Sequence, residues 1–393
     1  MSVEPAITAS SPLAGIRVLD LSRVLAGPYA TMLLGDLGAD VWKIERPGHG
    51  DETRAWGPPF VCGTSAYYLS ANRNKRSAAL DFGDPAHRAA ILRAAKRADI
   101  VVENYLPGTL TRHGLDAATL RKENPALVVC SITGFGQDGR YAALPGYDAV
   151  MQGFVGLQSI TGQPDGPPTK VGVALVDVLT GIHAACAMLA ALVGSLRSGH
   201  GAHLDVAMNE VGVHSLVNVT QSALATGQPA RRHGNAHPTI VPYQTFAAAD
   251  GLFVLAVGND GQWARVCEAM GEPGRGSDER FRTNPGRLAH RAEVVGLLST
   301  RFAAEPLAVW LERFRRHGVP AGPVREVLDV VRDPVLAERG MIHTYPFPGG
   351  GEPRQREQRG LAAAHARRAH RGVPCRIRDV AGPSHCGGPG AVR

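Results

Sequence analysis

The run VGVALVDVLTGIHAACAMLAALVG, from Val171 to Gly194, carries a single formal charge in 24 residues. A segment this apolar is buried in a folded chain, and the rest of the sequence has to build a core around it. It opens with β-branched residues and passes into a small-residue helical pattern, which predicts a short strand running into a helix. Asp177 stands at the change-over. Burying a carboxylate is costly unless something compensates. A helix beginning just after it offers free N–H groups and a positive dipole end, which would hold the acid ionised. Asp177 is then either an N-cap or a carboxylate nucleophile shielded from water. The local pattern by itself favours the cap.

A chain of 393 residues has room for roughly two to three domains. With 44% apolar and 20% charged residues it reads as globular. The Val171–Gly194 run, interrupted by Asp177, reads as too short and too broken to span a bilayer. The opening MSVEPAITASSPLAG lacks a basic segment followed by an apolar one, so no secretory signal is expected. The six cysteines form no CxxC pair and no metal-like spacing, which fits reduced thiols in a cytoplasm and no metal site. The net charge of +7 sits in one place. Residues 353–393 hold nine arginines against one Glu and one Asp, which accounts for all of it. The body is balanced, and is not a nucleic-acid binder by charge. The tail has no apolar periodicity and reads as disordered or translated out of frame.

The first 200 residues alternate strand and helix. Strands are expected at Ile16–Leu21, Asp40–Glu45, Asn74–Leu80, Ile100–Glu103 and Leu127–Thr133. Helices are expected at Tyr29–Leu37 and Pro85–Ala98. Such βαβ alternation predicts an α/β fold with a Rossmann-like, mostly parallel sheet. SGHGAHLDVAM reads as a turn and a strand, with a helix over Glu210–Ala225. Two strands flanking Ala248–Gly251 and helices at Trp263–Met270, Arg291–Phe302 and Leu307–His317 predict a smaller α+β domain. Val324–Val331 reads as a further helix. The domains expected are 1–200, completed by about 322–352, then a linker and small domain over 201–321, then the tail. Gly134, Gly136 and Gly139 have the spacing of a dinucleotide-binding GxGxxG, but RYAALPGY follows where that motif needs a helix. A glycine-rich loop is expected instead.

Several stretches, in order, resemble the class III CoA-transferases, the group containing formyl-CoA transferase and the carnitine CoA-transferases. They are GIRVLDLSRVLAGP, LGADVWKIERPGHGD, NKRSAALD, ADIVVENYLPGTL, GYDAVMQGFVGL, ALVDVLTGIHA and VPAGPVREV, within residues 12–345. The resemblance implies that Asp177 is the nucleophile, passing CoA between acids through mixed anhydrides and an aspartyl-CoA thioester. It implies that Val24, Leu25 and Ala26 line the CoA slot, with Arg46, Leu80, Asn104, Tyr105 and Arg112 around the nucleotide. Tyr67, Tyr147 and Asp148 are implied near the acyl pocket. Acyl-CoA and a free acid are then substrates, with no permanently bound cofactor. An interlocked homodimer is implied, with linkers near Ser195–Ala202 and Val319–Val324.

The chain also departs from that pattern. Leu25 stands where formyl-CoA transferase has a glutamine, and Gly83 and Pro145 replace two lysines that contact the nucleotide there. An oxalate or formate substrate is therefore not expected. The α-methylacyl-CoA racemases share this fold and are the rival reading. They use a histidine base where this chain has Tyr147, and a phenol titrating near pH 10 is a poor base at neutral pH. His183, in the helix after Asp177, reads as a packed residue. A catalytically impaired acyl-CoA-binding protein is the alternative of another class.

Overall fold

The computed structural model describes residues 11–346 and 357–361. They divide into two compact units, one of residues 11–157, 171–228, 334–346 and 357–361, the other of residues 158–170 and 229–333.

The first unit holds a six-stranded sheet. Its strands are β1 (Arg17–Asp20), β2 (Asp40–Glu45), β3 (Lys75–Ala79), β4 (Ile100–Glu103), β5 (Val128–Thr133) and β6 (His203–Ala207). All pairings are parallel, in the order β3-β2-β1-β4-β5-β6. This is the doubly wound order, with a reversal between β1 and β4. Strands covered on both faces need apolar residues at successive positions. Val18, Val102 and Val128 join one core cluster, and their neighbours Leu19, Val101 and Val129 join the other.

Helices α1 (Ala26–Asp36) and α2 (Pro85–Ala95) are followed by α3 (Asp148–Phe154) and α4 (Leu175–Ser198). The first face is covered by α1 and α4, through Ala30, Leu34, Ala184, Ala185, Met188 and Leu192. The second is covered by α2, through Ile91 and Ala95. At Gly181, α4 comes so close to α1 that a methyl group would lie 2.8 Å from the Ala26 carbonyl oxygen and 3.0 Å from Tyr29 Cδ1. Gly181→Ala gains about 1 kcal/mol of helix propensity and costs about 1–3 kcal/mol of overpacking. Its denaturation midpoint should therefore fall below wild type. A midpoint that rises would mean that the crossing has slack.

Several expectations need correcting. Val171–Ala174 forms no strand, and the helix begins at Leu175. Asp177 is the third helical residue, with Ala174 at the cap position. The helix is an unbroken 24 residues, long and apolar enough by composition to cross a membrane, so the segment is not too short. Its packing on the sheet makes it a core helix. The segment 210–225 is two helices, α5 (Met208–Ser215) and α6 (Asn218–Thr226), broken at Val217, whose φ is 44°. The first unit runs on to Gln228, because β6 closes the large sheet. Each expected linker lies partly within an element. Ser195–Ser198 is the last turn of α4, and Ala321–Pro323 is a strand of the small sheet.

The second unit has a three-stranded antiparallel sheet of β7 (Tyr243–Ala247), β8 (Leu252–Ala256) and β9 (Ala321–Pro323). Helices α7 (Asp260–Ala269), α8 (Arg291–Ala303) and α9 (Leu307–Arg316) accompany it. Its core is aromatic, with Phe246, Phe253, Phe302, Trp310 and Phe314 buried together. The expected helix near Val324 spans Val327–Arg332. Glu357–Leu361 pairs antiparallel with Ile342–Pro346, and the rest of the 353–393 tail lies outside the described residues.

Candidate active site

In a sheet of this order, ligands bind outside the carboxyl ends of the strands where the order reverses. The cleft lies there. It is lined by Arg23–Ala26 after β1, Asn104–Leu106 after β4, Ile132–Gly134 at the end of β5 and Met208 after β6. Pro145, Gly146, Tyr147 and Asp177 complete the wall. Of the residues expected at the site, Val24, Leu25, Ala26, Asn104, Tyr105, Tyr147 and Asp177 thus meet around one cleft.

Arg46, Leu80, Arg112, Tyr67 and Asp148 are not among the residues lining it. Arg46 and Arg112 are exposed. Leu80 packs against the second-face core, as do Phe82 and Tyr105, whose rings meet edge-on at 5.6 Å. Tyr67 makes an edge contact with Trp56 at 5.4 Å. Burial, then the charges of Asp177, Asp148 and Asp51, push the Tyr67 phenol up to about 12. Tyr147 is 51% exposed.

Asp148 is buried and has a definite task. Its Oδ1 accepts the N–H groups of Val176 (2.8 Å) and Asp177 (3.3 Å), and its Oδ2 accepts from Gln152 Nε2 (2.7 Å). Gln152 in turn accepts the Val171 N–H at 2.8 Å. The α4 N-terminus is therefore capped from α3, 28 residues upstream. This alters the electrostatics expected of Asp177. The helix end does not hold its carboxyl ionised, because Asp148 already occupies those donors. Burial, and then the Asp148 charge, push the Asp177 carboxyl up to about 7. No cation among the described residues pairs with Asp177, and it keeps partial access to the cleft. A carboxyl perturbed in this way beside a cleft is a functional-site candidate, and its ionised form could attack a carbonyl.

The loop after β1 is held in an unusual form. Val24 has a φ of 67°, which is strained for a β-branched residue. Asn104 grips the loop from β4. Its Oδ1 accepts from Arg23 N–H (2.9 Å) and its Nδ2 donates to the Arg23 carbonyl (2.7 Å). The amide expected to contact a nucleotide is thus occupied by the loop itself. The glycine-rich segment after β5 leads into turns rather than a helix, as expected. Gly134 meets Gly146 so closely that a methyl on Gly146 would lie 2.5 Å from the Gly134 Cα. That contact brings Tyr147 back over the strand ends.

Sequence reasoning missed Arg23, whose guanidinium sits 5.6 Å from the Tyr105 ring centroid and pairs with Glu52. The only available signal was a cation inside an apolar loop. It also missed Met208, which lines the cleft and which nothing in the local pattern marks. His183 is packed as expected, with Nδ1 2.9 Å from the Leu179 carbonyl and its ring edge-on to His214.

A family model described as CoA-transferase family III matches residues 13–375. A succinate–glutarate CoA-transferase of Agrobacterium fabrum is 46% identical over 336 residues, covering 84% of each chain. An acetyl-CoA:oxalate CoA-transferase of Acetobacter aceti is 39% identical, covering 84% of this chain and 85% of that one. Among solved structures, a CAIB/BAIF family protein from Brucella suis superposes with a TM-score of 0.79 at 42% identity, covering 90% of this chain and 92% of that one. With the cleft at the sheet's reversal point and Asp177 on its wall, these matches establish that the chain belongs to CoA-transferase family III.

Proposed function

We propose that Asp177 carries CoA from an acyl-CoA thioester to a dicarboxylic acid of about four or five carbons. The observation that carries this reading is the Asp177 carboxyl itself, on the cleft wall and without a pairing cation among the described residues. Asp177 Oδ attacks the thioester carbonyl, the C–S bond breaks, and a mixed anhydride and CoA thiolate form. The thiolate then attacks the Asp177 carbonyl carbon, releasing the donor acid and leaving an aspartyl-CoA thioester. The acceptor carboxylate attacks that thioester and expels the thiolate again. Return of the thiolate to the acceptor acyl carbon gives the new acyl-CoA and restores Asp177. Atoms balance with no water consumed, and Leu25, Ile132 and Met208 keep the cleft wall apolar.

CoA thioesters are substrates throughout this family. The dicarboxylate assignment rests on relatives named for succinate and glutarate at 46% and 44% identity. Leu25 in place of a glutamine argues against the two-carbon acid. The nucleotide is assigned to Val24–Ala26 and Tyr105, with Arg23 as the cation within the cleft; Arg46 and Arg112, both exposed, are assigned to it on the family resemblance. A homodimer is proposed because large apolar side chains stand open to solvent in the first unit, including Leu196 (68%), Val217 (70%) and Leu224 (76%). Cys130, Cys186 and Cys267 are free thiols, in keeping with a cytoplasmic enzyme.

Incubating the chain with a panel of CoA thioesters and free acids, read by mass spectrometry, tests the reading. Transfer from succinyl-CoA to glutarate is expected; hydrolysis alone, or no turnover with any dicarboxylate, defeats it. Asp148→Asn gives a sharper check of the electrostatics. Asn caps a helix about as well as Asp, so α4 should persist. Removing the Asp148 charge lowers the Asp177 pKa, and the ionised form is the active one. The acid limb of kcat/KM against pH, near 7 in wild type, should therefore move to lower pH. A move to higher pH would mean that Asp148 does not act through its charge.

A further inference from the structure

Beneath the loop that carries Val24 lies a set of buried charges for which the transfer chemistry has no use. Asp51 is buried, and its two oxygens are divided between two tasks. Its Oδ1 accepts from the Thr53 N–H (3.0 Å) and hydroxyl (2.6 Å). Its Oδ2 accepts from the Val24 N–H (3.3 Å) and pairs with Lys43 Nζ (3.0 Å). Lys43 is buried as well, and its ammonium donates to the Ser22 carbonyl at 2.8 Å. Asp51 is itself fixed, since its N–H donates to Glu45 Oε2 at 2.8 Å. One carboxylate oxygen and one ammonium therefore grip the loop on either side of Arg23, while Asn104 grips Arg23. Val24, which Asp51 holds by its N–H, is the residue with the strained backbone, and it lines the cleft with Asp177.

We propose that Asp51 is a positioning residue for acyl-CoA: with Lys43 it holds Val24 in the left-handed conformation and so fixes the Ser22–Ala26 cradle before the thioester arrives. The proposal rests on the reading that this cleft takes acyl-CoA. A valine held at positive φ persists only where its surroundings over-determine it. If the clamp were released, Val24 would relax to an extended backbone and the cradle would have to be remade at each binding event. The loss would then fall on thioester binding, with the Asp177 chemistry left intact.

Asp51→Asn is the informative variant. It keeps the shape, but one of the two oxygens becomes an NH2 group. If the amide turns that group toward Val24 and Lys43, donor faces donor; if it turns the other way, the Thr53 contacts are lost. In the full chain, KM for the acyl-CoA should rise at least about tenfold, with kcat within about threefold of wild type. The same change is then made on a Val24→Gly background. Glycine populates positive φ without strain, so the clamp is no longer required there. Asp51→Asn should raise KM by less than about threefold in that background. An undiminished rise in the Val24→Gly background would show a general structural role and overturn the proposal, as would a silent Asp51→Asn in an enzyme that transfers CoA. A wild-type chain that neither binds nor transfers CoA would instead defeat the reading of the cleft, and this inference with it. Should Asp51→Asn fail to fold, Val24→Gly and Val24→Ala decide the matter. A strained position makes the Val24→Gly variant melt higher than the Val24→Ala variant, and the reverse order overturns the proposal.

Discussion

Asp177→Asn should yield a folded protein whose CoA transfer is lower by roughly three to six orders of magnitude, the scale of losing a covalent nucleophile. The variant keeps the size of the side chain and its place in the first turn of α4, so CoA affinity should change little. A second readout separates catalyst from helix-forming residue. The Asp177 carboxyl is pushed up to about 7, so the folded state binds its proton more tightly than the unfolded chain does. Stability is then lost as pH rises from about 4, where the unfolded carboxyl ionises, to about 7, where the folded one does. Asn carries no such penalty. At pH 8 the inactive variant should therefore be more stable than wild type, by roughly 1–3 kcal/mol in chemical denaturation. Wild type incubated with acyl-CoA and hydroxylamine should also acquire a hydroxamate at Asp177, visible by peptide mass. An active Asp177→Asn variant without that adduct would end the aspartyl-CoA mechanism.

The largest loss of stability should come from Lys75→Met. Lys75 and Asp20 are both fully buried and pair at 3.0 Å. The ammonium also donates to the Pro28 carbonyl (2.8 Å) and Asn72 Oδ1 (2.9 Å). The two partners bear the burial differently. Burial acts to raise the Asp20 carboxyl, but Lys75, Lys43 and the Ser22 and Thr31 hydroxyls outweigh it, and the group sits at about 2. Lys75 is pushed down to about 8, because burial and the Lys43 charge outweigh the pull of Asp20. Removing the lysine strands a buried carboxylate and should cost about 3–5 kcal/mol. The denaturant midpoint reads it directly. Adding Asp20→Asn should recover part of the loss; if the double variant is worse, Lys75 acts mainly through Pro28 and Asn72. In wild type the stability that Asp20 contributes is present above about pH 4 and is lost toward about pH 2.

The sheet was legible because its strands obey a rule of local composition. Segments such as IVVE and VVCSIT are covered on both faces and read as apolar runs. The start of α4 was not legible. Val171, Val173, Val176 and Val178 resemble a strand, and the capping group lies on α3 at Asp148, beyond the reach of any local pattern. For the same reason Asp177 was placed at the cap rather than inside the first turn. Nothing in the local pattern marks Lys43 and Lys75 as buried, because their partners stand 8 and 55 positions away in the chain. Motif likeness brought Asn104 to the right loop. Which atoms its amide would meet depended on Arg23, from the other side of the β1–β4 crevice.

The close crossing at Gly181 carries a consequence for engineering. Ala26 opens α1 at the cleft wall, and Gly181, four residues beyond Asp177, lies against its carbonyl, the Ala30 N–H and the Tyr29 ring. The cleft wall at Ala26 and Asp177 therefore belong to one block, and their separation is set largely by main chain. Tyr147 stands exposed at the rim, and Leu25, itself buried, lines the cleft from that block. A library confined to these two positions should change which acids are accepted while leaving the acyl-transfer machinery in register.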